Sequence, residues 1–583
     1  MRAAIEASAK GAKTALICKS LLGKAHTVMA EGGMAASLGN LDDRDNWQVH
    51  FRDTMKGGKY LNNWRMAQIH AQEASDRVNE LEEWGAIFDR TKDGRILQRN
   101  FGGHTYPRLA HVGDRTGLEM IRALQDQSVH QGMEVFMEHT VRAILKDGNR
   151  VAGCFGYDRE SGRFMVWRTK SIVLATGGVG RCWEITSNSW EYTGDGQALA
   201  LWAGADLLDC EFIQFHPTGM VWPPSVRGTL ITEGVRGEGG VLKNNEGKRF
   251  MFDNIPDMFK GDYAETEEEA DKWVAAVAAG KLAEARRPPE LLTRDVVARA
   301  IRREVRAGRG SPHGGVFLDI ATRRDAEAIK KKLPSMYHQF KQLADVDITK
   351  DPMEVGPTCH YTMGGVRVDP ETQETTVTGL FAAGEVAAGL HGANRLGGNS
   401  LSDLVVFGQR AGEHAAKYAE ALGALPALSV EEVDAHAKEA QEPFERDEGE
   451  NPYVLHEELR KMMQVNVGIV RTEEDLNEAI EALKQYRERA KTVSITGNMQ
   501  YNPGWHLALD FKNMLDISEA VTRAALARKE SRGGHTREDY PDSDKERWGT
   551  VNLIARKRDG EIVVREEPLP QMPDELKQLI EGD

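Results

Sequence analysis

The chain has 583 residues, 40% of them hydrophobic and 28% charged, with a formal net charge of -15. This is the composition of a globular protein of roughly three or four domains, and the negative balance argues against a nucleic-acid partner. No apolar run reaches bilayer-spanning length, so no direct membrane span is expected, and five scattered cysteines offer no Cys-x-x-Cys pair, metal site or iron–sulfur spacing.

An Ala-rich helix, Arg2 to Lys10, leads into a short apolar strand, Thr14 to Cys18, and then the loop His26-Thr27-Val28-Met29-Ala30-Glu31-Gly32-Gly33. Helix, strand and Gly-Gly loop read as a dinucleotide-binding βαβ unit entered at its middle. The glycines let backbone run close to a cofactor. Lys19 and Ser20 follow the strand, where many dinucleotide folds carry an acidic ribose ligand. No Gly-x-Gly-x-x-Gly turn precedes the helix, and the expectation is that the native chain starts upstream of Met1.

From Trp47 to about Asp126 the pattern is mostly helical. Asn62 to Trp84 is one amphipathic stretch whose Met66, Ile69, His70, Val78, Leu81 and Trp84 face a core. Arg95 to Asp114, with Phe101-Gly102-Gly103-His104 and Arg108, reads as an irregular loop at a site. Val135 to Tyr157 alternates like strands and turns at Asp147-Gly148. Ser171 to Gly178 is a buried strand ending in Thr176-Gly177-Gly178, a feature of FAD and NAD folds. Thr193-Gly194-Asp195-Gly196 opens a helix, Gln197 to Ala205, where Asp195 either caps the helix or holds a cofactor hydroxyl or amide.

From Glu211 to about Asp351 polar loops and short helices interrupt this pattern, as for a second domain inserted into the first. They include an acidic, then Ala-rich insertion from Asp257 to Arg287 and a surface turn from Lys281 to Pro289. The cofactor fold resumes at Gly379 to Glu385. It continues into Gly392-Ala393-Asn394-Arg395-Leu396-Gly397-Gly398-Asn399-Ser400 and a helix from Leu401 to Leu422, whose Gly-rich start is a ready anion site. Beyond Ala427 the chain is helical and charged, with amphipathic helices at Glu473 to Val493 and Leu507 to Arg528. Arg532-Gly533-Gly534-His535 breaks the last helix, and the tail holds strand-like runs at Thr550 to Arg556 and Glu561 to Val564. The expected division is 1–225 and 351–426 for the cofactor domain, 226–350 for the insertion, 427–545 for a helical domain and 546–583 for a C-terminal extension.

Four separated motifs carry groups suited to a dicarboxylate. They are His216-Pro217-Thr218-Gly219, Thr232-Glu233-Gly234-Val235-Arg236-Gly237-Glu238-Gly239-Gly240, Leu291-Leu292-Thr293-Arg294-Asp295, and His360-Tyr361-Thr362-Met363-Gly364-Gly365 with Arg395 beyond it. A dianion needs cationic or hydrogen-bonding groups at both ends, and arginine offers a fork matched to carboxylate.

With the His26 loop, these strings in this order resemble the flavoprotein subunit of succinate dehydrogenase and fumarate reductase. The likeness covers essentially the whole chain and is weakest over 257–287 and beyond His535. It implies an α/β fold, in which an FAD-binding Rossmann-like domain carries an inserted α+β capping domain and is followed by a C-terminal helical domain. It implies FAD covalently bonded to His26, with Lys19, Ser20, Thr27, Gly32, Gly33, Thr176, Gly177, Gly178, Asp195, Tyr361, Glu385, Ser400 and Leu401 around it. It places His216, Thr232, His360 and Arg395 on the carboxylates of succinate or fumarate. Arg294 becomes the proton donor or acceptor, with Glu233 and Arg236 as the relay behind it.

The same resemblance implies that electrons pass from succinate through FAD to an iron–sulfur subunit, then to a membrane anchor. The chain itself would be cytoplasmic and peripheral on the inner face of the cell membrane, and its inserted domain would act as a lid. His26 favours succinate oxidation but serves either direction. A fumarate reductase working in reverse, or an L-aspartate oxidase-like enzyme with non-covalent FAD, is the alternative.

Overall fold

The structure, a computed structural model, describes residues 1–279 and 285–581. The turn expected at Lys281 to Pro289 lies partly outside the described residues. Strand Ala15–Cys18 pairs in parallel with Glu134–Met137, and Ile172–Leu174 pairs in parallel with Leu380–Ala382. Parallel pairing needs crossover connections; here the first includes three α-helices between Trp47 and His130, and the second is a whole inserted body. Helix Arg2–Ala9 lies against helix Asn399–Ala421. Their backbones approach so closely that a Cβ on Gly412 would sit 2.1 Å from the Ala3 carbonyl oxygen, so only glycine fits there. The expected hairpin forms from His139–Asp147 and Arg150–Asp158 and turns through Gly148 at φ 64°.

Between the two halves of the second parallel pair lies a body with its own core. Its four-stranded antiparallel sheet runs in the order Ile213–Met220, Met353–Thr362, Val316–Asp319, Val241–Lys243. Helix Arg294–Arg306 packs on that sheet, and Val235, Leu242, Phe250, Val297, Ile301 and Leu318 fill the space between. Strand Ile213–Met220 is buried along its whole length, which brings the polar residues it carries into the interior.

The C-terminal helices Pro452–Asn466, Glu473–Ala490 and Pro503–Ala527 each begin at a capping side chain: Asn451, Thr472 and Asn502 accept from backbone N–H groups of the first turn. The tail strands Val551–Arg558 and Glu561–Pro568 form a hairpin that adds to Leu207–Leu208 and Gly365–Val366. The tail is thereby bonded to the body of the protein; buried Leu553, Ala555 and Ile562 are the apolar reason.

The expected α/β architecture, with a cofactor-binding portion and C-terminal helices, is the one observed. Cys154, Cys182, Cys210 and Cys359 are free and buried, and Cys18 is free and half-buried. Among the described residues no helix is long and apolar enough to cross a membrane, and no cluster of His, Cys, Asp and Glu could hold a metal ion.

Candidate active site

Alternation along strand Ile213–Met220 sends Gln214 and His216 to the same face. Gln214 Oε1 accepts from Arg294 Nη1 at 3.2 Å and from Arg395 Nε and Nη2 at 3.2 and 3.1 Å. Arg294 is the first residue of its helix, and its Nε donates to Glu233 at 3.1 Å. The other Glu233 oxygen accepts from the Gly102 backbone N–H at 2.8 Å. Arg236 Nη2 stands 3.7 Å from Glu233, and Arg236 Nη1 donates to the Glu290 carbonyl at 2.6 Å. Gly102, Glu233, Arg294, Arg395, Leu396 and Gly397 line one small pocket here.

Burial opposes ionisation of Glu233, but Arg236, Arg294 and the Gly102 N–H outweigh it and hold its pKa below the usual value. Burial, with the nearby Arg294 charge, pushes Arg395 down to about 9, and burial likewise lowers Arg236. Three guanidiniums, those of Arg236, Arg294 and Arg395, thus gather around Glu233, an arrangement suited to holding an anion. Arg395 also lies 4.1 Å over the Tyr361 ring and donates to Ser400 Oγ. The Tyr361 hydroxyl meets His391 Nε2 at 3.1 Å.

Three histidines line the other side. The rings of His216 and His360 are 5.2 Å apart and those of His360 and His26 6.1 Å apart. His360 Nδ1 meets Ser187 Oγ at 2.8 Å. Burial, reinforced by Arg395 at His26 and His360 and by Arg294 at His216, keeps all three neutral, His26 down to about 4. Thr232 is buried, and its hydroxyl accepts from the Gly234 N–H at 3.2 Å.

The cofactor-side residues form a cradle. A Cβ on Gly177 would lie 2.6 Å from the Tyr192 ring, and one on Gly178 2.2 Å from Glu385 Oε1. Thr176 Oγ1 accepts from the Gly196 N–H, and Glu385 accepts from the Thr362 N–H, its pKa pushed up to about 8 by burial. His26 and Thr27 fall in a short 3-10 turn, His26–Met29. Gly32 packs under Phe101, and Gly33 has φ 125°. Leu401 is buried one turn into the helix that begins at Asn399.

Lys19 and Asp195 are brought together at 2.9 Å, but Lys19 also binds Asp510 at 3.0 Å, and Asn513 donates to Asp195 at 2.8 Å. The helix starts earlier than the sequence indicated, at Asp195, behind Gly194 at φ 75°, and Asp195 does not cap it. The Lys19 ammonium competes more strongly for that carboxylate than a backbone N–H. Ser20 Oγ, His26 Nδ1 and Gln197 Oε1 are buried without a hydrogen-bond partner. Buried polar atoms are seldom left unpaired, and these fit a bound FAD.

Sequence reasoning missed Gln214, Tyr192, Asp510 and Asn513. Only for Gln214 was there a local signal, its spacing of two from His216 within one strand.

Glycine cradle, orphaned polar atoms and parallel strand pairs are those of a dinucleotide-cofactor fold. The family described as FAD binding domain matches residues 1–401, and that described as Fumarate reductase flavoprotein C-term matches residues 456–577. One of the subunits of the fumarate reductase (CoM/CoB) of Methanothermobacter marburgensis is 42% identical over 97% of this chain and 96% of its own. The succinate dehydrogenase flavoprotein subunit of Coxiella burnetii is 35% identical over 97% and 94%. The solved structure of Mycobacterium smegmatis Sdh1 in complex with UQ1 shares 56% identity over 98% of this chain and 92% of that one, with a TM-score of 0.84. The chain belongs to the family of succinate dehydrogenase and fumarate reductase flavoprotein subunits.

Proposed function

We propose that this chain oxidises succinate to fumarate, with FAD bonded covalently to His26. The observation that carries the reading is the bonded row Arg395–Gln214–Arg294–Glu233, closed behind by Arg236. Arg395, His216, His360 and Thr232 hold the two carboxylates and fix the substrate carbons. FAD, when bound, supplies the hydride acceptor. Arg294 gives a proton to Glu233 as it takes the one from the adjacent carbon, and Glu233 hands a proton on to Arg236, which releases one in turn. Neutral His216 and His360 bind as hydrogen-bond donors and leave the positive charge to the arginines.

The insertion over 226–350, whose apolar core is completed by Met220, Met353 and Val355 of the flanking strands, serves as the lid that excludes water. Electrons leave to an iron–sulfur subunit, then to a membrane anchor, and these partners hold the chain on the inner face of the cell membrane. The solved relative bound to UQ1 supports a quinone as their destination.

Fumarate reduction is the second reading, favoured by the 42% identity to the Methanothermobacter enzyme. One experiment separates the two: succinate oxidation with an artificial acceptor against fumarate reduction with an artificial donor, on enzyme whose denatured band is first tested for flavin fluorescence. Retained flavin and faster succinate oxidation support the proposal; absence of both activities removes it.

A further inference from the structure

The proton taken at Arg294 starts in a closed place, because Arg236, next along, has no exposed surface. Behind Arg236 lies Glu290, whose carboxylate is fully buried and gripped by the fork of Arg249, Nε at 3.0 Å and Nη2 at 3.2 Å. Arg249 Nη1 then reaches Glu267 at 3.3 Å and Asp271 at 3.4 Å. These two side chains, on the first turns of helix Glu267–Ala278, are 63% and 42% exposed. Acids and cations therefore alternate from Arg294 to the surface of the inserted body.

One link lacks a direct bond. Arg236 gives Nη1 to the Glu290 carbonyl, while its Nε and Nη2 are buried with no hydrogen-bond partner. Those spare donors are what a turn of the guanidinium toward the Glu290 carboxylate requires. A buried ion pair such as Arg249–Glu290 is a poor way to gain stability, since desolvation offsets most of the attraction. A row of them ending at solvent has another use.

We propose that Glu290 and Arg249 carry the proton released at Arg294 through the inserted body to Glu267 and Asp271. The inference rests on the proton role proposed above for Arg294. The row shifts as a unit: Arg249 gives a proton to Glu267 or Asp271 and takes one from Glu290, Arg236 gives one to Glu290 and takes one from Glu233, and Arg294 gives one to Glu233 and takes the substrate's. The hydride has gone to FAD, and solvent takes the last proton at Glu267 or Asp271. Fumarate reduction runs the same row inward.

The test is succinate oxidation by the FAD-loaded full chain, with an artificial acceptor, in H2O and D2O. For Glu290→Gln we expect kcat to fall roughly ten- to hundred-fold, KM to hold within about two-fold, and the solvent isotope effect on kcat to rise. Glu290→Asp should recover part of the rate. The surface double variant Glu267→Gln/Asp271→Asn, at exposed positions, should show a smaller fall with the same rise in isotope effect, and it decides the matter if Glu290→Gln does not fold. Parental kcat and isotope effect in either variant, or a raised KM with an unchanged isotope effect, overturns the route. Arg294→Ala is run beside them: turnover surviving there removes the proposed chemistry itself, whereas its loss together with a silent Glu290→Gln removes only this exit.

Discussion

Arg294 and Arg395 share a single acceptor, the side-chain oxygen of Gln214. Two like charges are thus held side by side by one neutral dipole, with Glu233 bonded to only one of them. Gln214→Leu removes that dipole and leaves both guanidiniums short of an acceptor in a buried place. We expect a fold that persists and a KM for dicarboxylate raised about ten-fold or more, roughly the effect of losing one charge-assisted hydrogen bond. Steady-state kinetics checks it; an unchanged KM would show that the arginines need no such spacer.

His26 is the residue on which the covalent reading depends. His26→Ala should bind FAD that is released on denaturation, and succinate oxidation should fall before fumarate reduction does. In-gel flavin fluorescence and peptide mass mapping report the first point, paired assays the second. Flavin still attached to the chain in this variant would place the link elsewhere.

Lys19 holds Asp195 and Asp510 together in the interior. The two carboxylates share its charge unequally: burial opposes ionisation of both, yet Lys19 prevails at Asp195 and holds its pKa low, whereas Asp510 stays raised. Lys19→Met leaves two buried acids without a cation and should destabilise the protein by about 3–5 kcal/mol. Asp510→Asn in the same chain should return part of that. Urea unfolding measures both, and a Lys19→Met chain of parental stability would refute the account.

Acid sensitivity follows from histidines buried in their neutral form. Burial, helped by His391 at His70 and by Arg108 at His104, takes both down to about 3. Their folded pKa lies below the unfolded value, so the unfolded chain binds protons that the folded one does not. The stability they contribute is whole above about pH 6.5 and is lost as pH falls from there towards 3, by up to about 1.4 kcal/mol per unit for each residue. The Tm should drop between pH 7 and pH 5, and His70→Gln or His104→Gln should flatten that drop. A parental slope in both variants would mean that other groups set it.

Much of this was legible because local rules were obeyed. Asp147-Gly148 supplied the positive φ its hairpin needed, and the stripe from Met66 to Leu81 faced a core because its spacing is helical. The polar strings around His216, Glu233, Arg294, His360 and Arg395 stood out through their glycines and their order. What could not be read depends on contacts distant in sequence. Nothing near Lys19 announces Asp510, which arrives from helix Pro503–Ala527. His70 looked like one more core position, yet its Nε2 meets Ser402 on the helix that begins beside Arg395. The tail strands were visible as strands, but their partner, Leu207–Leu208, was not. Asp195 sat where a capping residue belongs and was claimed by an ammonium group instead.

The free cysteines give the protein an internal clock. Burial pushes Cys154 and Cys182 up to about 12 and raises Cys210 and Cys359 well above the ordinary thiol range. At pH 8 a thiol of pKa 12 is thiolate in about one molecule in ten thousand, and an alkylating reagent needs the thiolate and access to it. Label can therefore enter only when the surrounding structure opens. Cys154 reports on the hairpin strand Arg150–Asp158, and Cys359 on strand Met353–Thr362, which runs into the active site. Mass mapping of alkylation against time would read out, region by region, how often the molecule breathes and which part opens first.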